Sequence, residues 1–74
     1  MAIDFGSLLT VEQKIDIIQQ RISQFASEAY QLTLNKKSAE TLGREDQIEV
    51  IESNLVLLES AISIHQEELK ELSK

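Results

Sequence analysis

The chain has 74 residues and a formal charge of −6, from 13 acidic and 7 basic side chains, with no cysteine, no proline and one histidine. This excludes a disulfide framework and thiolate metal sites. It also argues against nucleic acid or an anionic membrane as the ligand, because phosphate binding needs clustered Lys and Arg.

A chain this short forms at most one domain, and its own core rarely contributes more than roughly 3–5 kcal/mol. Without disulfides or a metal, self-association or a partner is the remaining source of stability. A chain rich in Glu, Gln, Leu, Ile, Lys and Ala, with only Gly6 and Gly43 as breakers, reads as helical throughout.

Residues 1–9 form an arm. Ile3, Phe5, Leu8 and Leu9 are apolar, and Gly6-Ser7 interrupts them. The arm reads either as a frayed terminus or as a docking segment. In the second case Phe5 enters an apolar groove of its own subunit or a neighbour. The opening residues have neither the basic start nor the apolar core of a signal peptide. No apolar run approaches the roughly 20 residues that span a bilayer. The expected setting is soluble and cytoplasmic.

Residues 10–74 form a single helical hairpin. Thr10 and Gln13 have capping-box spacing, and Glu12 favours the positive end of the helix dipole. From there Val11, Ile15, Ile18, Ile22, Phe25, Ala29 and Leu32 recur at alternating steps of four and three, the 3.5-residue period of a coiled-coil seam. With heptad positions lettered a to g, Ile15, Ile22 and Ala29 occupy a, and Val11, Ile18, Phe25 and Leu32 occupy d. Lys36 falls on the next a, and Ala39 resumes the seam. Asn35 is a possible early stop, but Gly43 is the stronger one, so the first helix is expected over about 10–41.

Asp46 with Glu49 gives a second capping signature, and the second helix is expected over about 46–72. Its seam is Ile48, Leu55, Ile62 and Leu69 at a, with Ile51, Leu58, His65 and Leu72 at d. A short turn at Gly43 makes the helices antiparallel. Facing Ala39 with Ile48 then brings Leu32 to Leu55, Ala29 to Leu58, Phe25 to Ile62, Ile22 to His65, Ile18 to Leu69 and Ile15 to Leu72. Arg21 falls near Glu68 as a flanking ion pair. The fold expected is an all-α antiparallel αα-hairpin with a coiled-coil-like seam, assembling into a four-helix bundle or a higher oligomer.

One apolar stripe per helix is enough for a hairpin, and the second helix has more. Val50, Leu57, Ala61 and Ile64 lie about a third of a turn from its seam, with Val56 between. The first helix adds Ile17, Tyr30 and Leu34. A helix apolar on two faces is sandwiched rather than on the surface. These residues, with Phe5, are the candidate interface for a second copy or another protein.

Little points to chemistry. His65 is the only side chain that titrates near neutral pH without perturbation. On a d position it reads first as a tolerated core histidine, and second as a pH-sensitive contact. Glu49 and Glu52 have the i, i+3 spacing of di-metal bundles, but the histidine three residues after a Glu is missing. The serines lack a nucleophile elbow or glycine-rich turn. No metal or cofactor site and no catalytic residue is assigned, and the chain is expected not to be an enzyme. Lys36, Lys37 and Arg44 gather near the hairpin tip. With Arg21 and Tyr30 they are a candidate site for an anion such as a nucleotide at a subunit interface.

The opening Met1-Ala-Ile-Asp-Phe5, the capped Leu9-Thr-Val-Glu-Gln-Lys14 and the acidic all-helical composition without Cys, Pro or Trp resemble the small accessory proteins that bacteriophages encode. That resemblance implies inhibition or sequestration of a host factor. The expected dimer of hairpins is also similar to plasmid copy-number regulators of the Rop type, but the basic stripe their RNA-binding role requires is missing here.

The sequence therefore points to a non-enzymatic protein-interaction module, acting as an oligomer on a host protein with a basic surface. Glu40, Glu45, Asp46, Glu49, Glu52 and Glu59 would meet that surface, and the apolar outer stripe would supply the anchors. The alternatives are an oligomer that sequesters an anionic small molecule and a structural subunit of a larger bundle.

Overall fold

The computed structural model describes residues 3–74. Three elements follow one another: a short 3-10 turn, Phe5–Leu8, and two long helices, α1 over Val11–Leu42 and α2 over Glu45–Leu72. The helices pack against each other as an antiparallel hairpin about 50 Å long. No helix among the described residues is long and apolar enough to cross a membrane.

α1 begins where its capping chemistry dictates. The Thr10 hydroxyl accepts from the Gln13 backbone N–H at 3.1 Å, and the Thr10 backbone N–H donates to Gln13 Oε1 at 2.9 Å. Two otherwise unpaired donors are thereby satisfied at once. Thr10→Ala removes one of them, and an expected loss of about 1 kcal/mol should lower the urea midpoint measured by circular dichroism. An unchanged midpoint would mean that α1 starts independently of its cap.

α1 runs unbroken through Asn35-Lys36-Lys37 and stops at Gly43, whose φ of 70° lies in the left-handed region. There the Gly43 N–H donates to the Glu40 carbonyl at 3.2 Å and the Arg44 N–H to the Ala39 carbonyl at 2.9 Å. This is the Schellman pattern, and glycine adopts the required φ at little steric cost.

The start of α2 differs from expectation. Asp46 is not its N-cap: the helix begins at Glu45, Arg44 holds the cap position, and no side chain caps it. The Schellman closure commits Arg44 within one residue of Gly43, so the chain turns into α2 before Asp46 is reached. Glu45 and Asp46 instead lie in the first turn, where their charge favours the helix dipole.

The seam follows the heptad positions. In α1 the residues shielded from solvent after Lys14 are Ile15, Ile18, Ile22, Phe25, Ala29, Leu32, Lys36 and Ala39. In α2 they are Ile48, Ile51, Leu55, Leu58, Ala61, Ile62, His65, Leu69 and Leu72. Val11, expected at the first d position, lies beyond the end of the partner helix and is exposed. Lys36 takes its a position by laying its aliphatic stem along the seam, while its ammonium reaches Glu52 Oε1 at 3.2 Å. Both ends of that pair are partly solvated, so the charge interaction is worth roughly 0–1 kcal/mol.

His65 shows how two antiparallel helices mesh. Its ring meets Phe25 edge-on, with centroids 5.1 Å apart and planes at 74°. The expected opposite of His65 was Ile22, one layer away. Side chains on a helix lean toward its N-terminus. In an antiparallel pair, Phe25 and His65 therefore lean toward each other across the layer boundary. The His65 ring also contacts the Ala61 carbonyl through Nδ1 at 2.6 Å.

The expected Arg21–Glu68 ion pair is not formed. The ion pairs among the described residues are Lys36–Glu52 and Lys74–Glu71. The Arg21 guanidinium lies instead over the Phe25 ring, 5.6 Å from its centroid. Arg21 and Phe25 are one helical turn apart, and an aromatic face available on the same helix holds the cation there.

The arm is ordered locally. The Asp4 carboxylate accepts from the Gly6 N–H at 3.1 Å, and the Ser7 hydroxyl donates to the Asp4 carbonyl at 2.7 Å. Phe5 does not dock on its own subunit, and 72% of it is exposed. The arm residue that reaches the helices is Leu9, which shares a shallow cleft with Gly6, Lys14, Ile17, Ile18 and Glu68.

Candidate protein-interaction surface

The hairpin buries very little. Ile18, at 8% exposure, and Ala39, at 3%, are the buried apolar residues among those described. Every other seam residue remains partly open, as expected for a layer only two helices wide.

The open surface divides into two broad faces, and the seam letters show how. In an antiparallel pair the g flanks of the two helices lie side by side, as do the e flanks. One cleft gathers Asn35, Ser38 and Leu42 from α1 with Gln47 and Val50 from α2. The cleft at the other end brings Lys14 and Ile17 to Glu68. These residues hold positions g and c, so one broad face carries the g and c rows of both helices. The Lys36–Glu52 pair marks the opposite face, which carries e and b.

The g/c face is apolar on its α2 side. Val50, Leu57 and Ile64 follow one another at seven-residue steps and are 62%, 67% and 67% exposed. Ala61 lies between this row and the seam and is partly shielded. The α1 side of the face has Gln24, Gln31 and Ser38 in its c row, with Ile17 at one end and Leu42 at the hairpin tip. Leu42 is exposed, and the sequence reading missed it because α1 was expected to end before it. The signal was available: Leu42 is seven residues past Asn35, on the same flank.

The e/b face is acidic. Glu45, Glu52 and Glu59 follow one another at seven-residue steps along α2, with Glu49 beside them. Glu12, Asp16 and Glu40 add to this face from α1. Lys37 and Lys70 are its cations besides the paired Lys36. Asp46 lies outside this row and lines the tip cleft with Arg44.

Tyr30 and Leu34, expected to belong with Val50, Leu57 and Ile64, do not share their face. Tyr30 holds position b, on the acidic e/b face, and Leu34 holds position f on the back of α1; both are exposed. Their angle about the α1 axis follows from the heptad period alone. How that angle relates to α2 depends on which flanks the hairpin brings together.

The candidate anion set does not converge within one chain. Arg21 lies over Phe25, and Lys36 is paired with Glu52. Fifteen residues of helix separate them, about 22 Å at 1.5 Å per residue, too far to grip one small ligand. Arg44 lies at the tip, beside the acidic Asp46. No group of three or more His, Cys, Asp or Glu among the described residues is arranged to hold a metal ion.

Comparison with known proteins gave no match to a protein-family model, a curated protein or a solved structure.

Proposed function

We propose that this chain is a non-enzymatic protein-interaction module that works as a self-associated hairpin and acts on a partner by occupying its surface. The observation that carries this reading is the exposed row Val50, Leu57 and Ile64 on a chain whose own seam buries only Ile18 and Ala39. Apolar side chains lined up on one helix face are what a helix presents to another protein, and rows rimmed by polar residues mark interaction sites.

The acidic e/b face is the second half of the reading. Glu45, Glu49, Glu52 and Glu59 project one sign of charge along α2. A basic protein surface is the complementary partner, drawn in by long-range attraction. A module of this kind regulates or inhibits by covering a site, in the manner of phage accessory proteins.

The test is capture from lysate of the native host with the tagged chain, identifying prey by mass spectrometry, alongside Glu49→Gln/Glu52→Gln/Glu59→Gln. The triple variant removes charge while keeping side-chain shape and helix propensity. The expected result is a basic prey protein that the wild type retains at low salt and the variant loses. The same prey recovered equally by both would sink the acidic-face reading.

A further inference from the structure

We infer that the g/c face is closed by a second copy of this chain, related by a twofold axis that passes beside Leu57 and sets α2 antiparallel on α2 of the partner. This rests on the reading that the chain self-associates and specifies which face, which helix and which register.

Geometry selects the helix. Stacking two hairpins face to face can place α2 over α2 of the copy or over α1. In the second case the row Val50, Leu57 and Ile64 would meet Gln24, Gln31 and Ser38 and leave apolar surface against amides. In the first case the row meets itself. It is symmetric about its centre, so an antiparallel copy puts Leu57 on Leu57 and Val50 on Ile64, twice. A twofold contact requires this kind of self-complementarity. α1 then meets its own copy through Gln24, Gln31 and Ser38, side chains that can hydrogen-bond and carry no charge to oppose.

Charge selects the face. On the e/b face, Glu45, Glu52 and Glu59 would be brought against their own copies, and the like charges would repel. On the g/c face both α2 rows and the α1 c row are uncharged through the middle, and Glu28 in the α1 g row is the one charge there. The same register places Arg44 at the tip of one hairpin near Glu71 at the open end of the other, with Asp46 level with Glu68, so the ends of the contact hold both an attractive and an opposing pair.

Area is sufficient. A face two helices wide and about 40 Å long offers roughly 800 Å² to its partner, the amount each side contributes to a standard-size interface. The contact also gives a core to a chain that has almost none. Ile17 and Leu42 join the shielded set, Ala61 is covered further, and the e/b face stays outside, available for another protein.

The chain has no cysteine, so single cysteines report the register directly. Leu57→Cys, Val50→Cys, Ile64→Cys and, on another face, Val56→Cys are treated with a short thiol-to-thiol bismaleimide at several chain concentrations. Light scattering reports mass on the uncoupled proteins in parallel. Leu57→Cys is expected to couple to itself. Val50→Cys and Ile64→Cys alone are not, because each lies about 21 Å along the axis from its own copy. Mixed together they are expected to couple.

A dimeric mass with coupling at Val56→Cys, or with Val50→Cys coupling to itself, would overturn the face or the register while self-association stood. A monomeric mass at every concentration would overturn both. The four sites are exposed in the single hairpin, so helicity by circular dichroism should match the wild type and exclude misfolding as the cause of a missing product.

Discussion

Replacing Leu57 and Ile64 together by glutamate is expected to convert the associated protein to a monomer. Each side chain is about two-thirds exposed in the single chain, so neither substitution removes anything from the seam. In a twofold contact each is used twice, and four apolar side chains are lost per dimer. At about 1.5–3 kcal/mol for each fully buried Leu or Ile, and with two-thirds of each side chain left to bury, at least roughly 4 kcal/mol of association free energy disappears. That is about three orders of magnitude in Kd, at 1.4 kcal/mol per decade. Four carboxylates brought together add repulsion. Light scattering at concentrations where the wild type is associated should return half its mass or less. Mass unchanged would show that this row lies outside the interface. The variant should also unfold at lower temperature, because anything that binds only the folded chain adds to its apparent stability.

Ile18→Ala is expected to have the largest effect within the single chain. Ile18 is one of two apolar residues the hairpin buries, and it sits in the seam where α1 crosses the far end of α2. Truncating a buried isoleucine removes its transfer free energy and leaves a cavity, typically 2–5 kcal/mol together. At this partly lidded site about 2–3 kcal/mol is expected. Against a total of roughly 3–5 kcal/mol for a core this size, that loss takes more than half the stability. Ile17→Ala is the control. It is the adjacent residue and the same chemical change, but on the open g/c face, where its loss should stay below about 1 kcal/mol in the dissociated chain. Urea unfolding followed by circular dichroism, at one low chain concentration, separates the two. Equal midpoints would mean that the helices are not held by this seam.

Much of the fold was legible in the sequence, because its determinants are local. The Thr10–Gln13 cap spans only four residues, and Gly43 stops α1 through its own φ. The steps of three and four along both helices place the seam, and the solvent-shielded residues follow it from Ile15 to Ala39 and from Ile48 to Leu72. The excess apolar row on α2 was equally readable, as a count of residues at one angle about one axis.

What failed depended on two elements at once. Asp46 has the right neighbour for a cap, but the backbone closure at Gly43 and Arg44 had already started the helix. Arg21 was within plausible reach of Glu68, but the guanidinium lies over the Phe25 ring of its own helix. Tyr30 and Leu34 were grouped with Leu57 and Ile64 because all are surplus to a seam. They fall on different sides once the hairpin joins g to g and e to e.

The sequence by itself determined two helices, their stop and the edge each turns inward, since hydrogen bonds within a turn and a 3.5-residue period are properties of one strand of chain. Only the tertiary structure decided that His65 meets Phe25, that Lys36 can occupy a seam position by reaching Glu52, and that the surplus surface sorts into one apolar face and one acidic face. Those outcomes depend on the direction and flank with which one helix lies against another, and no pattern within either helix contains that relation.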